Sequence, residues 1–241
     1  MSVLRLRLAG PLQSWGATSR FTRRGTEPIP TKSGILGLLA AAEGRRRSDP
    51  IEDLLKLELG VRTEQQGQPL RDFHTAHHQV TGAAMPLTDR YYWSDAVFTA
   101  HIGGPREVLE GLAESLRDPA FPLYFGRRAC VPEGRIVLDI VEASVAESLS
   151  DMPWMAGETG RRQARRESSV ELPVQADQSV FPDEVPSKEL PDVPVSWDPE
   201  RRQYGTRMVV DSFVVIPTGN DVAESRGGPA HDPMAFLGGV K

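Results

Sequence analysis

Two stretches of helical periodicity, one starting near residue 31 and one near residue 105, each lie between strands of alternating polarity. That order restricts the chain more than any other feature. Val3 to Leu8 puts Leu4, Leu6 and Leu8 on one face and Arg5 and Arg7 on the other, the pattern of a half-buried strand. Pro30 has no N–H and biases Ile29 away from helix, so a helix begins at Thr31 or Ser33, whose oxygens suit an N-cap. Ile35, Leu36, Leu38, Leu39 and Ala42 form its apolar stripe, Gly34, Gly37, Ala41 and Gly44 make one thin face, and Gly44 suits the C′ position. Strands follow at Leu57 to Thr63, Leu70 to Val80 and Tyr92 to Ile102, with Thr75 to Trp93 reading as a projecting hairpin. Gly104-Pro105 opens a second helix with Val108, Leu109, Leu112, Ala113 and Leu116 inward and a stop at Asp118-Pro119, and Arg135 to Val141 is a further strand.

This βαββαβ order predicts an α+β fold, a ferredoxin-like domain over residues 1–141 with a protruding hairpin at about 75–93. From residue 142 the chain changes character. Six prolines fall within residues 173–199, which predicts an extension rich in loops, with short edge strands such as Val170 to Val174. Thr206 to Pro217 reads as a buried strand, and the tail from Thr218 as loose unless a partner orders it.

The net charge of −5 is unevenly spread: residues 1–47 hold nine Lys or Arg against two acids, whereas residues 131–241 hold eleven against nineteen. A basic face in the first half and an acidic second half follow from this asymmetry. Only Lys32, Lys56, Lys188 and Lys241 are lysines among 28 basic residues, and arginine suits forked contacts to phosphate. The single cysteine, Cys130, excludes an internal disulfide, and no run of apolar residues is long enough for a membrane span. The first residues enter a strand at once, so a cytoplasmic location without a signal peptide is expected.

Free N–H groups at the start of the first helix, with Lys32 and the arginines before it, form a candidate phosphate site. It is not a nucleotide P-loop, because Lys32-Ser33 follows Thr31 and two prolines where glycines are required. Asp72, His74 and His78 share one strand face and His77 points away, a loose arrangement for a metal. A metal-free ribonuclease built from His74 or His78, Tyr91 or Tyr92 and an arginine is chemically complete, since cleavage through a 2′-OH needs a base, an acid and a cation.

The segments GPLQSWG, PTKSGILGLLAAAEG, RDFHTAHHQ and FPLYFGRRACVP, in that order, resemble one family: the CasD subunits of the type I-E CRISPR surveillance complex, Cascade. The resemblance covers about residues 1–141. It implies an RRM-like ferredoxin fold of the RAMP type with a hairpin thumb, bound to the 5′ handle of the crRNA in antiviral defence. It also implies neighbours, the CasC backbone subunit and the large subunit CasA, in an assembly that surveys target DNA. Relatives in the I-C subtype cut precursor crRNA with Tyr, Lys and His. This chain has no Lys-His pair and no lysine between Lys56 and Lys188, so the resemblance points to RNA binding without catalysis and without a cofactor. Single-stranded RNA is held by arginine contacts to phosphate and by bases laid on aromatic or histidine rings. The candidate contacts are Gln13, Ser14, Trp15, Arg20, Arg23, Arg24, Lys32, Ser33, His74, His77, His78, Arg90, Arg127 and Arg128.

Overall fold

The computed structural model describes residues 1–16, 23–197 and 203–220. The chain runs β1 (Ser2–Ala9), β2 (Leu12–Gln13), β3 (Arg23–Arg24), α1 (Lys32–Ala42), β4 (Glu58–Gln65), β5 (Gln68–His74), β6 (Thr88–Ser94), β7 (Val97–Gly104), α2 (Arg106–Arg117), β8 (Val137–Glu142), α3 (Val145–Asp151), α4 (Glu158–Gln163), β9 (Ser169–Asp177), β10 (Lys188–Ser196) and β11 (Gln203–Pro217). Seven strands make one antiparallel sheet in the order β10-β11-β9-β4-β7-β1-β8. A small second sheet is built on β6, with β5 on one edge and β2 and β3 sharing the other. Among the described residues no helix is long and apolar enough to cross a membrane.

Alternation in β1 explains how the main sheet is covered on both faces. Leu4, Leu6 and Leu8 join Ile35, Leu36 and Leu39 of α1 and Leu109, Leu112 and Leu116 of α2 in the largest core. Val3, on the other face, packs with Val145 and Leu149 of α3 and with Val174 and Ala176 of β9. Thr31 caps α1 by accepting from Gly34 N at 3.2 Å, and Gly44 takes φ +79° just past the helix end, as the spacing predicts. Of the stripe expected for α2, Val108 is the exception: it is exposed.

The middle strands differ from their expected form. The ladder of Leu70 to Val80 is continuous only as far as His74, with an isolated bridge from His77 to Ala84 beyond it, and Tyr92 to Ile102 is two strands rather than one. The break falls at Asp95, which adopts φ 57°, opposite a second break at Gly67, where a Cβ would meet Ser94 O at 2.4 Å. Two interruptions at the same level let β5 and β6 leave the main sheet as a pair.

The C-terminal part is not the loop-rich extension that its prolines predict. β9 is nine residues long and lies between β11 and β4 inside the sheet, not at an edge, and β11 runs for fifteen residues beside it. β10 carries Pro191 and Pro194 and holds the sheet's outer edge, a place where a missing N–H need cost no ladder bond. Of the tail, residues 221–241 lie outside the described residues.

Under α3 the sheet buries polar side chains. Arg62 donates to Glu64 Oε1 at 2.6 Å and to the carbonyls of Leu149, Met152 and Pro153. Thr99 donates to Glu64 at 2.7 Å, and His101 bridges Thr99 at 3.1 Å and Ser148 at 2.8 Å. Burial pushes His101 well below the usual imidazole range, and the charges of Arg62 and Arg5 push the same way. A proton therefore binds the unfolded chain more readily than the folded one: stability is full above about pH 6.5 and is lost as pH falls toward the lower folded pKa. We expect the melting temperature to drop between about pH 7 and pH 5, and His101→Gln to flatten that part of the curve. An unchanged slope in the variant would mean that other groups set it.

Candidate nucleic-acid interface

The start of α1 offers no vacancy for a phosphate. Lys32 N donates to the carboxylate of Asp192 at 2.8 Å, so an anion from β10 already occupies the helix N-terminus. Lys32 itself is 7% exposed, with Nζ 2.8 Å from Asp177 and 3.0 Å from Leu57 O. Arg207 completes the cluster, reaching Asp192 at 2.7 Å and Asp177 at 2.6 Å. Burial opposes the charge on Arg207, but Asp192 and Asp177 outweigh it and raise its pKa. The expectation for Lys32 and Ser33, both buried, is corrected accordingly: they belong to the joint between α1 and the outer strands.

Gln13, Ser14 and Trp15 are also inward. Gln13 is 0% exposed and donates to Leu8 O at 3.0 Å and Ala96 O at 2.8 Å while accepting from Trp15 Nε1 at 3.1 Å. Ser14 donates through Oγ to Tyr91 O at 3.3 Å and through N to Phe125 O at 3.1 Å. The Trp15 ring, 1% exposed, lies 5.7 Å from the Phe125 ring and against Gly34, where a Cβ would come within 2.7 Å of it. None of the three side chains is open to solvent. They brace β6, α1 and the 124–130 loop, and Gly34 on the thin face of α1 makes room for Trp15.

What they brace is a basic surface around β6, with half-buried and buried rings beneath its arginines. β3 pairs in parallel with β6, placing Arg23 opposite Asp89 and Arg24 opposite Arg90, and both β3 arginines are exposed. The Arg23 guanidinium lies 5.4 Å from the centroid of Tyr91. Arg127 comes from the neighbouring loop, 4.6 Å from the centroid of Tyr92, and donates to Tyr91 O at 3.0 Å, Arg24 O at 2.9 Å and Gly25 O at 3.2 Å. Its guanidinium is therefore largely spent on the protein, whereas Arg128 beside it is exposed. Arg90 is half-buried, and its Nε has no acceptor. Arg20 lies outside the described residues.

Across β6, His74 is exposed, 3.4 Å from Asp72, and Arg71 donates to Asp89 at 3.0 Å, a hydrogen bond that raises the Arg71 pKa. His77 and His78 are exposed in the following loop, where His78 Nδ1 accepts from Thr81 N at 3.2 Å. Sequence reading missed Gly126 and Arg71. Gly126 has φ +82°, and a Cβ there would fall 1.7 Å from Ser14 O, so the Gly-Arg-Arg run itself was the signal for a tight turn aiming Arg127 inward. Among the described residues no three His, Cys, Asp or Glu side chains are grouped to hold a metal ion.

Residues 3–210 match the family model described as CRISPR-associated protein (Cas_Cas5). The chain is 31% identical over 163 residues to the CRISPR system Cascade subunit CasD of Escherichia coli (strain K12), covering 59% of this chain and 73% of that one. Among solved structures it is similar to a chain of a CRISPR RNA-guided surveillance complex, with a TM-score of 0.73 and 32% identity over 89% of this chain and 91% of that chain. It is also similar to a crystal structure of a Cas protein, with a TM-score of 0.68 and 35% identity over 90% of this chain and 95% of that chain. The antiparallel α+β architecture with few helices matches these structures, and the chain is a CRISPR-associated protein. Within that class, the chain belongs to the Cas5 family and is of the Cas5/CasD type.

Proposed function

We propose that this chain is a non-catalytic RNA-binding subunit of a type I-E CRISPR surveillance complex, holding the 5′ handle of the crRNA across β6 and its flanking loops. The observation that carries this reading is the basic surface gathered around β6, where Arg23, Arg24 and Arg128 are exposed, Arg127 ties Tyr91 to the Arg24–Gly25 backbone, and the Arg23 guanidinium lies against the half-buried Tyr91 ring. Such a face binds single-stranded RNA by phosphate contacts and base stacking. The likeness to the E. coli Cascade subunit CasD supports the assembly, and with it contacts to a CasC-type backbone subunit and a CasA-type large subunit.

In this reading residues 1–141 are a ferredoxin-like module, supported by the order β4-β7-β1-β8 with α1 and α2 on one face, and β5 with β6 is its projecting thumb. Cleavage is disfavoured because neither His74 nor His78 is paired with a tyrosine hydroxyl among the described residues, His74 facing Asp72 and His78 accepting from Thr81 N. Purified protein is expected to shift end-labelled repeat RNA and leave it whole, and Arg23→Ala with Arg24→Ala to weaken that shift at least tenfold, about 1.4 kcal/mol. A product ending in a 2′,3′-cyclic phosphate that disappears in His74→Ala would establish a nuclease instead.

A further inference from the structure

A second basic surface lies on the sheet face opposite α1 and α2. Because Leu4, Leu6 and Leu8 enter the core beneath those helices, Arg5 and Arg7 project the other way. Arg5 pairs with Asp139 at 3.5 Å, whereas the half-buried Arg7 side chain makes no hydrogen bond or ion pair with the described residues. Arg7 stands opposite Thr99, and Thr99 opposite Arg62, which binds the carbonyls of Met152 and Pro153. The chain leaves Pro153 toward α4, so the arginine turn that follows lies beside this face of the sheet. That turn carries Arg161, Arg162, Arg165 and Arg166 within six residues.

The turn is held from several sides. Trp154 Nε1 donates to Glu64 O at 2.8 Å, Gly160 N to Gln65 Oε1 at 2.8 Å, and Asn220 Nδ2 to Ala164 O at 3.0 Å. Arg161 is anchored to the carbonyls of Ala156 and Trp154, and Arg162 to the exposed Glu158 at 3.0 Å. Arg165 and Arg166 are exposed and have no partner among the described residues. Glu167 is the adjacent uncommitted acid, so the turn remains net positive. Cations gathered on a rigid support repel one another, and a polyanion relieves that repulsion. The aromatic content distinguishes this surface from the face on β6: residues 152–168 contain one ring, Trp154, and it is buried. With no ring to stack on an unpaired base, the surface can read only backbone, as suits a helix whose bases are already paired.

We propose that Arg7 and the arginine turn bind the sugar-phosphate backbone of double-stranded DNA, separately from the RNA face. The test uses the full chain and a fluorescent random-sequence DNA duplex, titrated over a range of salt concentrations, with handle RNA as the parallel arm. Arg165→Ala with Arg166→Ala is expected to weaken duplex binding on the order of tenfold at low salt and to reduce the slope of log K against log salt by about 2. Arg7→Gln lowers the slope by about 1 more. Handle RNA binding and the melting temperature stay unchanged, and Arg23→Ala with Arg24→Ala leaves duplex binding intact. Failure of the unsubstituted chain to bind duplex, or equal duplex binding by the double variant, would overturn the proposal. So would an equal loss of RNA affinity in that variant, which would assign the turn to the RNA face. Because the duplex arm is read independently, absence of RNA binding would count against the RNA reading alone.

Discussion

Arg62→Met is expected to destabilise the protein by about 3–5 kcal/mol, the cost typical of breaking a buried ion pair from one side. Arg62 is 0% exposed, as is the side chain of its partner Glu64. Methionine fills a similar volume, so the loss is not a cavity effect. It leaves the buried Glu64 carboxyl without its counter-charge and removes the donors that serve Leu149 O, Met152 O and Pro153 O. Those carbonyls lie at the end of α3 and in the segment after it, so the damage spreads to the attachment of that layer. For a chain of this size the melting temperature should fall by roughly 10 °C or more. Arg62→Lys, which keeps the charge but not the fork, should fall between the two. A change of less than about 1 kcal/mol in Arg62→Met, within the range of an exposed ion pair, would show that the network contributes little.

Arg127 gives the second large effect, because it is expected to act through geometry rather than through its charge. Its fork binds three backbone carbonyls on two segments, and its plane covers Tyr92. Removing it takes away the side-chain tie between Arg24–Gly25 and β6, leaves the two-residue β3 pairing to hold that segment, and loosens the arginines that face solvent. Arg127→Ala should therefore lower handle RNA affinity on the order of tenfold or more, about 1.4 kcal/mol at least. The informative variant is Arg127→Lys. A phosphate contact would be largely retained by lysine, whereas a planar fork would not, so lysine should do no better than alanine. Recovery of affinity and of the salt slope with lysine would place Arg127 on the RNA directly.

Much of the fold could be read from period alone. Leu4, Leu6 and Leu8 in β1, the stripe of α1 and Leu109, Leu112 and Leu116 in α2 bury one face each, and burying one face is what makes a pattern legible. Thr206 to Pro217 was legible as a strand and is β11, but β10 and the full length and interior place of β9 escaped because both devices that build them look like loop. Pro191 and Pro194 sit on an edge that tolerates them, and Asp177 and Asp192 are buried by pairing with Lys32 and Arg207 from distant segments. The same long-range pairing hid the layer under α3: Arg62, Thr99 and His101 occupy positions that alternation assigns to solvent, and only the later chain covers them.

At the candidate site the sequence located the neighbourhood and confused the roles. A turn rich in Gln, Ser and Trp reads equally well as a contact or as a brace, and Gln13, Ser14 and Trp15 are braces because their polar atoms find partners on β1, β6 and each other. Lys32 was drawn toward a phosphate by the bare helix start, which Asp192 fills from 160 residues away. Arg23, Arg24 and Arg128 remained outside because the described chain supplies no acid to bury them.

Photo-crosslinking of crRNA 5′-handle RNA to the full chain, with the modified peptides mapped, tests the central claim most directly. Adducts are predicted within residues 23–25, 71–78, 90–93 and 127–128. Adducts confined to residues 169–217, with β6 and the arginine loops unmodified, would contradict it.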